Sequence, residues 1–133
     1  MGSVTILKYH LVLETKNHRP SLKGIEQAVY KAIRRVEEVS DFRILDMRIK
    51  DGNHIHLAIK MSPRYSVSSM VNRIKGLSQH YLWQEEEDHL KLFYRGPKRK
   101  LWKGSYFCST LGDVSEKTVL EYIEKQNGPG EKI

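Results

Sequence analysis

Cysteine is almost missing from this sequence: Cys108 stands alone among 133 residues. A single thiol excludes an intrachain disulfide framework and any cysteine-rich zinc module. Long apolar runs are missing too, so nothing reads as a membrane span or as the apolar segment of a signal peptide. The expected location is the cytoplasm, away from membranes. No internal repeat, linker or low-complexity tract divides the chain, whose length suits one domain over residues 1–133 with a real core. Acidic residues are the minority, 16 against 23 Lys and Arg, which leaves a formal net charge of +7 and a pI near 9.5. That balance favours a polyanionic partner, most simply nucleic acid. What is present is globular in composition, 39% hydrophobic and 29% charged, with a mean hydropathy of −0.56.

The most informative stretch is Asn-His-Ile-His-Leu-Ala-Ile-Lys-Met at positions 53–61. Strand side chains alternate between faces, so Ile55, Leu57, Ile59 and Met61 line one face and His54, His56 and Ala58 the other. Two imidazoles side by side on the polar face, next to a small alanine, make half of a metal site that needs further ligands from elsewhere. Read without that chemistry, the same residues are a pair of hydrogen-bonded surface histidines.

From the N-terminus, residues 4–14 alternate as a half-buried strand, with Leu7, Tyr9, Leu11 and Leu13 against Lys8, His10 and Glu14. After a polar turn at residues 16–20, Ile25, Val29, Ala32, Ile33 and Val36 recur at helical spacing to about Val39. Residues 42–50 are rich in β-formers, but the alternation slips near Leu45 and Asp46, which predicts a bulge. Asp51-Gly52 supplies a hairpin turn into the histidine strand. Beyond Pro63, Val67, Met70, Val71, Ile74, Leu77 and Tyr81 mark a second helix with Ser66 at its N-cap, and its other face carries Arg73, Lys75 and Gln79. The acidic run at residues 85–88 reads as a solvated loop.

Residues 89–105 interleave Lys91, Arg95, Lys98, Arg99, Lys100 and Lys103 with Phe93, Tyr94 and Trp102. Cations for phosphates beside flat rings for unstacked bases suit single-strand binding, while a merely solvated loop would look the same. Residues 106–111 read as a fourth strand, broken by Gly112. A last helix over about residues 113–127 starts at Asp113 with Glu116 and stops at Asn127-Gly128-Pro129-Gly130. Val119, Leu120 and Ile123 form its apolar stripe. Tyr122 and Gln126 lie one turn apart on a shared flank, and the amide oxygen of Gln126 suits a metal site.

Strand, helix, strand, strand, helix, strand is the ferredoxin-like order, an α+β fold also found in RRM domains, here with one helix appended. It predicts a four-stranded antiparallel sheet with the first and third strands central, two helices on one face, and the histidines on the open face.

Tyr9-His10, Asn53 to Leu57, Lys75-Gly76, Trp102 to Phe107, Ser109 to Gly112, and Tyr122-Ile-Glu-Lys-Gln126 resemble the single-tyrosine HUH transposases of compact bacterial and archaeal insertion sequences. HUH stands for His-hydrophobic-His. The resemblance implies His54, His56 and Gln126 as metal ligands and Tyr122 as the nucleophile. It also implies a homodimer that acts on single-stranded DNA and recognises hairpins near element ends. One departure is Asn53, where the family commonly carries an acidic residue.

Two neutral imidazoles and an amide would leave a divalent ion its full charge for polarising a phosphate, and this chemistry points to Mg²⁺ or Mn²⁺. Attack by Tyr122 would store the phosphodiester as a 5′-phosphotyrosine and free a 3′-hydroxyl. DNA-contact candidates are Arg73, Lys75, Arg95, Lys98, Arg99, Lys100, Trp102 and Lys103. The alternatives are an HUH nickase or domesticated relative that moves no element, and a non-catalytic RRM-like module that stacks bases on aromatic rings.

Overall fold

The structure is a computed structural model that describes residues 7–111. Its elements are β1 (Leu7–Thr15), α1 (Glu26–Glu38), β2 (Phe42–Lys50), β3 (His54–Met61), α2 (Val67–Glu85), α3 (Glu87–Leu90) and β4 (Trp102–Thr110). The strands form one antiparallel sheet in the order β2-β3-β1-β4, so the two central strands are the first and third. This is the ferredoxin-like arrangement. The appended helix, with Tyr122 and Gln126, lies outside the described residues.

Alternation decides which face meets the helices. Leu11, Leu13, Ile55, Leu57 and Ile59 are fully buried and share one core with Val29, Ile33 and Val36 of α1 and Met70, Val71 and Ile74 of α2. Ser66 caps α2 as its sequence predicts, accepting the Ser69 backbone N–H at 3.1 Å. Among the described residues no helix is long and apolar enough to cross a membrane.

The histidine strand is set in register by the turn before it. Asp51 and Gly52 both have positive φ, 56° and 68°, the backbone that a two-residue type I′ turn requires. A Cβ at Gly52 would come within 2.9 Å of the Lys23 Cβ, so the close approach of the loop ahead of α1 also demands glycine. The bulge in β2 falls between Ile44 and Asp46, where the alternation slips. Its outer edge is covered by α1: Glu37 accepts the Ile44 N–H, Arg34 donates to the Ile44 carbonyl at 2.8 Å, and the Tyr30 hydroxyl accepts the Ile49 N–H at 3.1 Å. Side chains thereby occupy edge groups that would otherwise template another strand.

Two local expectations change. The fourth strand begins at Trp102 rather than at residue 106 and ends at Thr110, because Trp102 pairs with Thr15 across a register shift. The acidic run is not a solvated loop: Glu85 closes α2, Glu87 opens α3, and Glu87 is ion-paired with Arg99 and, at 4.0 Å, with Lys91. Both misreadings come from composition, which registers charge but not the partner that folds against it.

Because Leu57 is fully buried in the central strand, Leu57→Ala is expected to cost about 2–5 kcal/mol of stability, read as a lowered urea midpoint. A change within about 0.5 kcal/mol, typical of a surface position, would contradict this placement of the core.

Candidate metal and nucleic-acid site

The face away from the helices carries Lys8, His10, Val12 and Glu14 of β1 beside Lys60, Ala58, His56 and His54 of β3. Glu14 is opposite His54, Val12 opposite His56, and His10 opposite Ala58. His10 is thus the diagonal neighbour of His56, within reach of a ring side chain. This face is not bare. Ala58 packs with Leu45 and Leu111 in a small apolar cluster, and the Phe107 ring meets His10 edge-on with centroids 6.0 Å apart. His56 is only 8% exposed and His10 only 2%, while His54 is half-buried.

Both rings of the HUH pair are oriented through Nδ1. The His54 Nδ1 lies 2.7 Å from Asn53 Oδ1, and the His56 Nδ1 lies 2.8 Å from His10 Nε2. An amide oxygen only accepts, so His54 must carry its proton on Nδ1 to make that bond, which leaves a lone pair on Nε2. Asn53, the departure from the acidic pattern, therefore supplies a neutral acceptor where a carboxylate would supply a charged one. Burial pushes the His56 imidazole down to about 4, helped by neighbouring His10, His54 and Lys50, and burial also lowers His10. Near neutral pH His56 is uncharged, as a metal ligand must be.

His54 and His56, with ring centroids 5.2 Å apart and their Nδ1 atoms engaged, fit the role of two neutral metal ligands. Among the described residues no group of three His, Cys, Asp or Glu side chains is arranged to hold an ion. A third donor for such an ion would have to come from elsewhere, and Gln126 lies outside the described residues, as does Tyr122.

The basic candidates divide into separate environments. Lys75, Lys98, Lys100 and Lys103 line one cleft of about 620 Å³ with Lys16 and His18, two residues that sequence reasoning did not single out. Lys75 donates to the Gly104 carbonyl at 3.0 Å, and its ammonium is held below its ordinary pKa by burial and by Lys100. Glu14 joins this cleft to the histidine face: it lies opposite His54 and reaches His18 at 3.2 Å and Lys103 at 3.6 Å. Arg99 is paired with Glu87 and stands over the Trp83 ring, with Arg95 lining a cavity nearby. Arg73 belongs to another cavity, where it donates to Ser40 Oγ at 2.7 Å and to the Val39 carbonyl.

The aromatic rings of the basic segment are mostly in the core. Trp102 lines the lysine cleft but is 5% exposed, with its indole N–H donated to Ser78 Oγ at 3.0 Å. Tyr94 is buried with its hydroxyl bonded to Ser21 Oγ at 2.8 Å. The prominent exposed ring is Phe107, beside the histidines. Sequence reasoning placed His10 on the polar side of the first strand and in the Tyr9-His10 motif but gave it no role in the site. Strand parity carries the missing signal: in this topology β1 adjoins β3, and a polar-face histidine in β1 must share the face of the HUH pair.

A family model described as transposase, IS200-like, matches residues 3–126. The transposase for insertion sequence element IS200 of Salmonella typhimurium LT2 is 33% identical over 120 residues, covering 90% of this chain and 76% of that one. The Salmonella typhi transposase for the same element matches to the same extent. A crystal structure from Deinococcus radiodurans R1, described as a candidate transposase, superposes with a TM-score of 0.73 at 23% identity, over 96% of this chain and 95% of that one. A REP-associated tyrosine transposase bound to a REP hairpin gives 0.62 at 14% identity, over 92% and 66%. At these identities the two structures establish a shared fold.

The buried environment of His56 has a direct readout. In the metal-free protein its ring should remain neutral from pH 8 down through 5 and take a proton only near pH 4. Histidine ring NMR across that range would reveal it, and titration near the ordinary value of about 6.5 would contradict it. The sign for stability follows: because the folded-state pKa is lowered, stability is held above pH of about 6.5 and falls as pH drops toward 4.

Proposed function

The chain belongs to the IS200-like transposase family, and on that premise we propose that it cleaves and rejoins single-stranded DNA at insertion-sequence ends through a 5′-phosphotyrosine intermediate. The observation that carries this reading is the histidine pair itself, adjacent on a central strand with both Nδ1 atoms hydrogen-bonded. A divalent ion, Mg²⁺ or Mn²⁺, held by His54, His56 and Gln126 would supply positive charge that no carboxylate ligand offsets.

In this reading Tyr122 is the nucleophile. Its phenolic oxygen forms a bond to phosphorus, the bond from phosphorus to the 3′ oxygen breaks, and the departing oxygen takes a proton to become a 3′-hydroxyl. The phenol's own proton passes to water, a loss that its reference pKa of about 10 makes unfavourable unless charge nearby assists. A later 3′-hydroxyl displaces Tyr122 by the reverse step. The phosphodiester is conserved, so strand transfer needs no ATP.

The lysine cleft would hold backbone phosphates, and its junction with the histidine face at Glu14 supports a strand that runs from one to the other. The hairpin carried by the REP-associated neighbour supports a folded single strand as substrate. Homodimeric action is part of the same proposal. Under the nickase alternative the chemistry is shared but no strand is rejoined to a new end.

With a labelled hairpin substrate and Mg²⁺ or Mn²⁺, the protein should become covalently attached to the 5′ end of the downstream fragment. Tyr122→Phe should remove the adduct, and His54→Ala or His56→Ala should abolish cleavage. Full activity in excess EDTA, or an adduct mapped to Tyr106, would overturn the assignment. Co-expressing the Tyr122→Phe chain with a His54→Ala, His56→Ala chain restores cleavage only if one site can be built from two subunits. Separately, Lys98→Ala with Lys100→Ala should weaken DNA binding similarly for all sequences. It should also flatten the dependence of log affinity on log salt by about 1 for each phosphate that is no longer neutralised; an unchanged slope would remove the cleft from the binding surface.

A further inference from the structure

We propose that His10 is a positioning residue that fixes the tautomer of His56, and with it the atom His56 offers to a metal ion. The inference rests on the metal reading above. His10 and His56 sit in the two central strands, their rings stacked with centroids 5.1 Å apart and His10 Nε2 2.8 Å from His56 Nδ1. Core pairings on either side, Tyr9 with Ile59 and Leu11 with Leu57, hold the strands that bring the rings together. The edge-on Phe107 ring packs against His10 as well.

A nitrogen-to-nitrogen contact of 2.8 Å takes one bridging proton. If His56 carries it on Nδ1, His10 Nε2 accepts and the lone pair of His56 Nε2 is left for a ligand bond. If His10 carries it on Nε2, the neutral His56 ring must bear its proton on its own Nε2 and cannot ligate through that atom. For His54 the question does not arise, because Asn53 Oδ1 only accepts. The two halves of the pair are therefore secured differently, one by an amide oxygen that only accepts and one by an imidazole nitrogen that can accept or donate. His10 selects the competent option when its own proton resides on Nδ1.

Neutral acceptors at both positions also have an electrostatic consequence. The common partner of a metal-bound imidazole is a carboxylate, backbone carbonyl or water. A carboxylate at position 10 would place a negative charge in a site that is 2% exposed and beside Phe107, and would offset part of the ion's charge. An imidazole provides the acceptor without the charge, which leaves the ion's field for a phosphate.

The test uses the full chain and Mn²⁺ alone, with binding followed by calorimetry and electron paramagnetic resonance, and ring tautomers followed by ¹⁵N NMR without metal. Wild-type spectra should show His56 protonated at Nδ1. His10→Leu, which fills the space without an acceptor, should lower Mn²⁺ affinity about 10–100-fold while the thermal midpoint is retained, and should release His56 into a mixture of tautomers. His10→Gln, whose amide oxygen can replace the acceptor, should recover most of the affinity. A wild-type His56 protonated at Nε2, or His10→Leu with undiminished affinity and an unchanged tautomer, would overturn the proposal. If His10→Leu does not fold, the wild-type tautomer decides alone. Should His54→Ala with His56→Ala leave Mn²⁺ binding intact, the metal reading fails, and the tautomers of wild type and His10→Leu still decide whether His10 fixes His56.

Discussion

The antiparallel pairing of β1 with β3 is the constraint on which the rest of the molecule depends. With Leu11 opposite Leu57 and Leu13 opposite Ile55, the period of two sends these residues under α1 and α2 while His10, Glu14, His54 and His56 go to the other face. A slip of one residue would bury the imidazoles in the core and expose the leucines, so the hydrophobic effect that stabilises the domain also holds the histidines in place. The Asp51-Gly52 turn matters for the same reason, since its conformation sets where β3 begins.

On this scaffold the main lysine cluster lies beside the histidine pair rather than around it. Lys75, Lys98, Lys100 and Lys103 gather in the cleft between α2 and the segment leading into β4, while Arg73, Arg95 and Arg99 lie in other cavities. His56 is kept neutral by burial, and both rings of the pair are hydrogen-bonded at Nδ1 to partners without a carboxylate, Asn53 and His10. Phosphate attraction falls off over the screening length and tolerates loose geometry, whereas a ligand bond needs one lone pair aimed in one direction. Exposed lysines suit the first requirement and buried imidazoles the second. Glu14, shared by His18 and Lys103 and opposite His54, marks where the two regions meet.

Some of the departures from sequence-based expectation share one cause. Trp102 and Tyr94 lie among lysines and arginines in the sequence, yet their rings are buried and their polar atoms are satisfied by Ser78 and Ser21, residues far away in the chain. Glu87 belongs to an acidic run, yet pairs with Arg99 from beyond the next loop. Local composition shows what a segment contains, and the burial of an aromatic ring depends on what another segment brings to it.

By itself the sequence determined the four strands, the two long helices and their order, though not α3 or the start of β4. Alternation at Leu7 to Leu13 and Ile55 to Met61, helical spacing at Val29 to Val36, Ser66 as a cap, the slip at Leu45 and the Asp51-Gly52 turn are all local signals, each written within a few residues. His54 and His56 were legible in the same way, because their spacing and strand parity are local. Only the tertiary structure decided that His10 meets His56 across 46 positions of sequence, that Lys16 and His18 join the lysine cleft, and that Arg73 lies in a different cavity. Those relations are fixed by cross-strand register and by which surfaces the core excludes from water, and neither is carried by a periodicity within one segment.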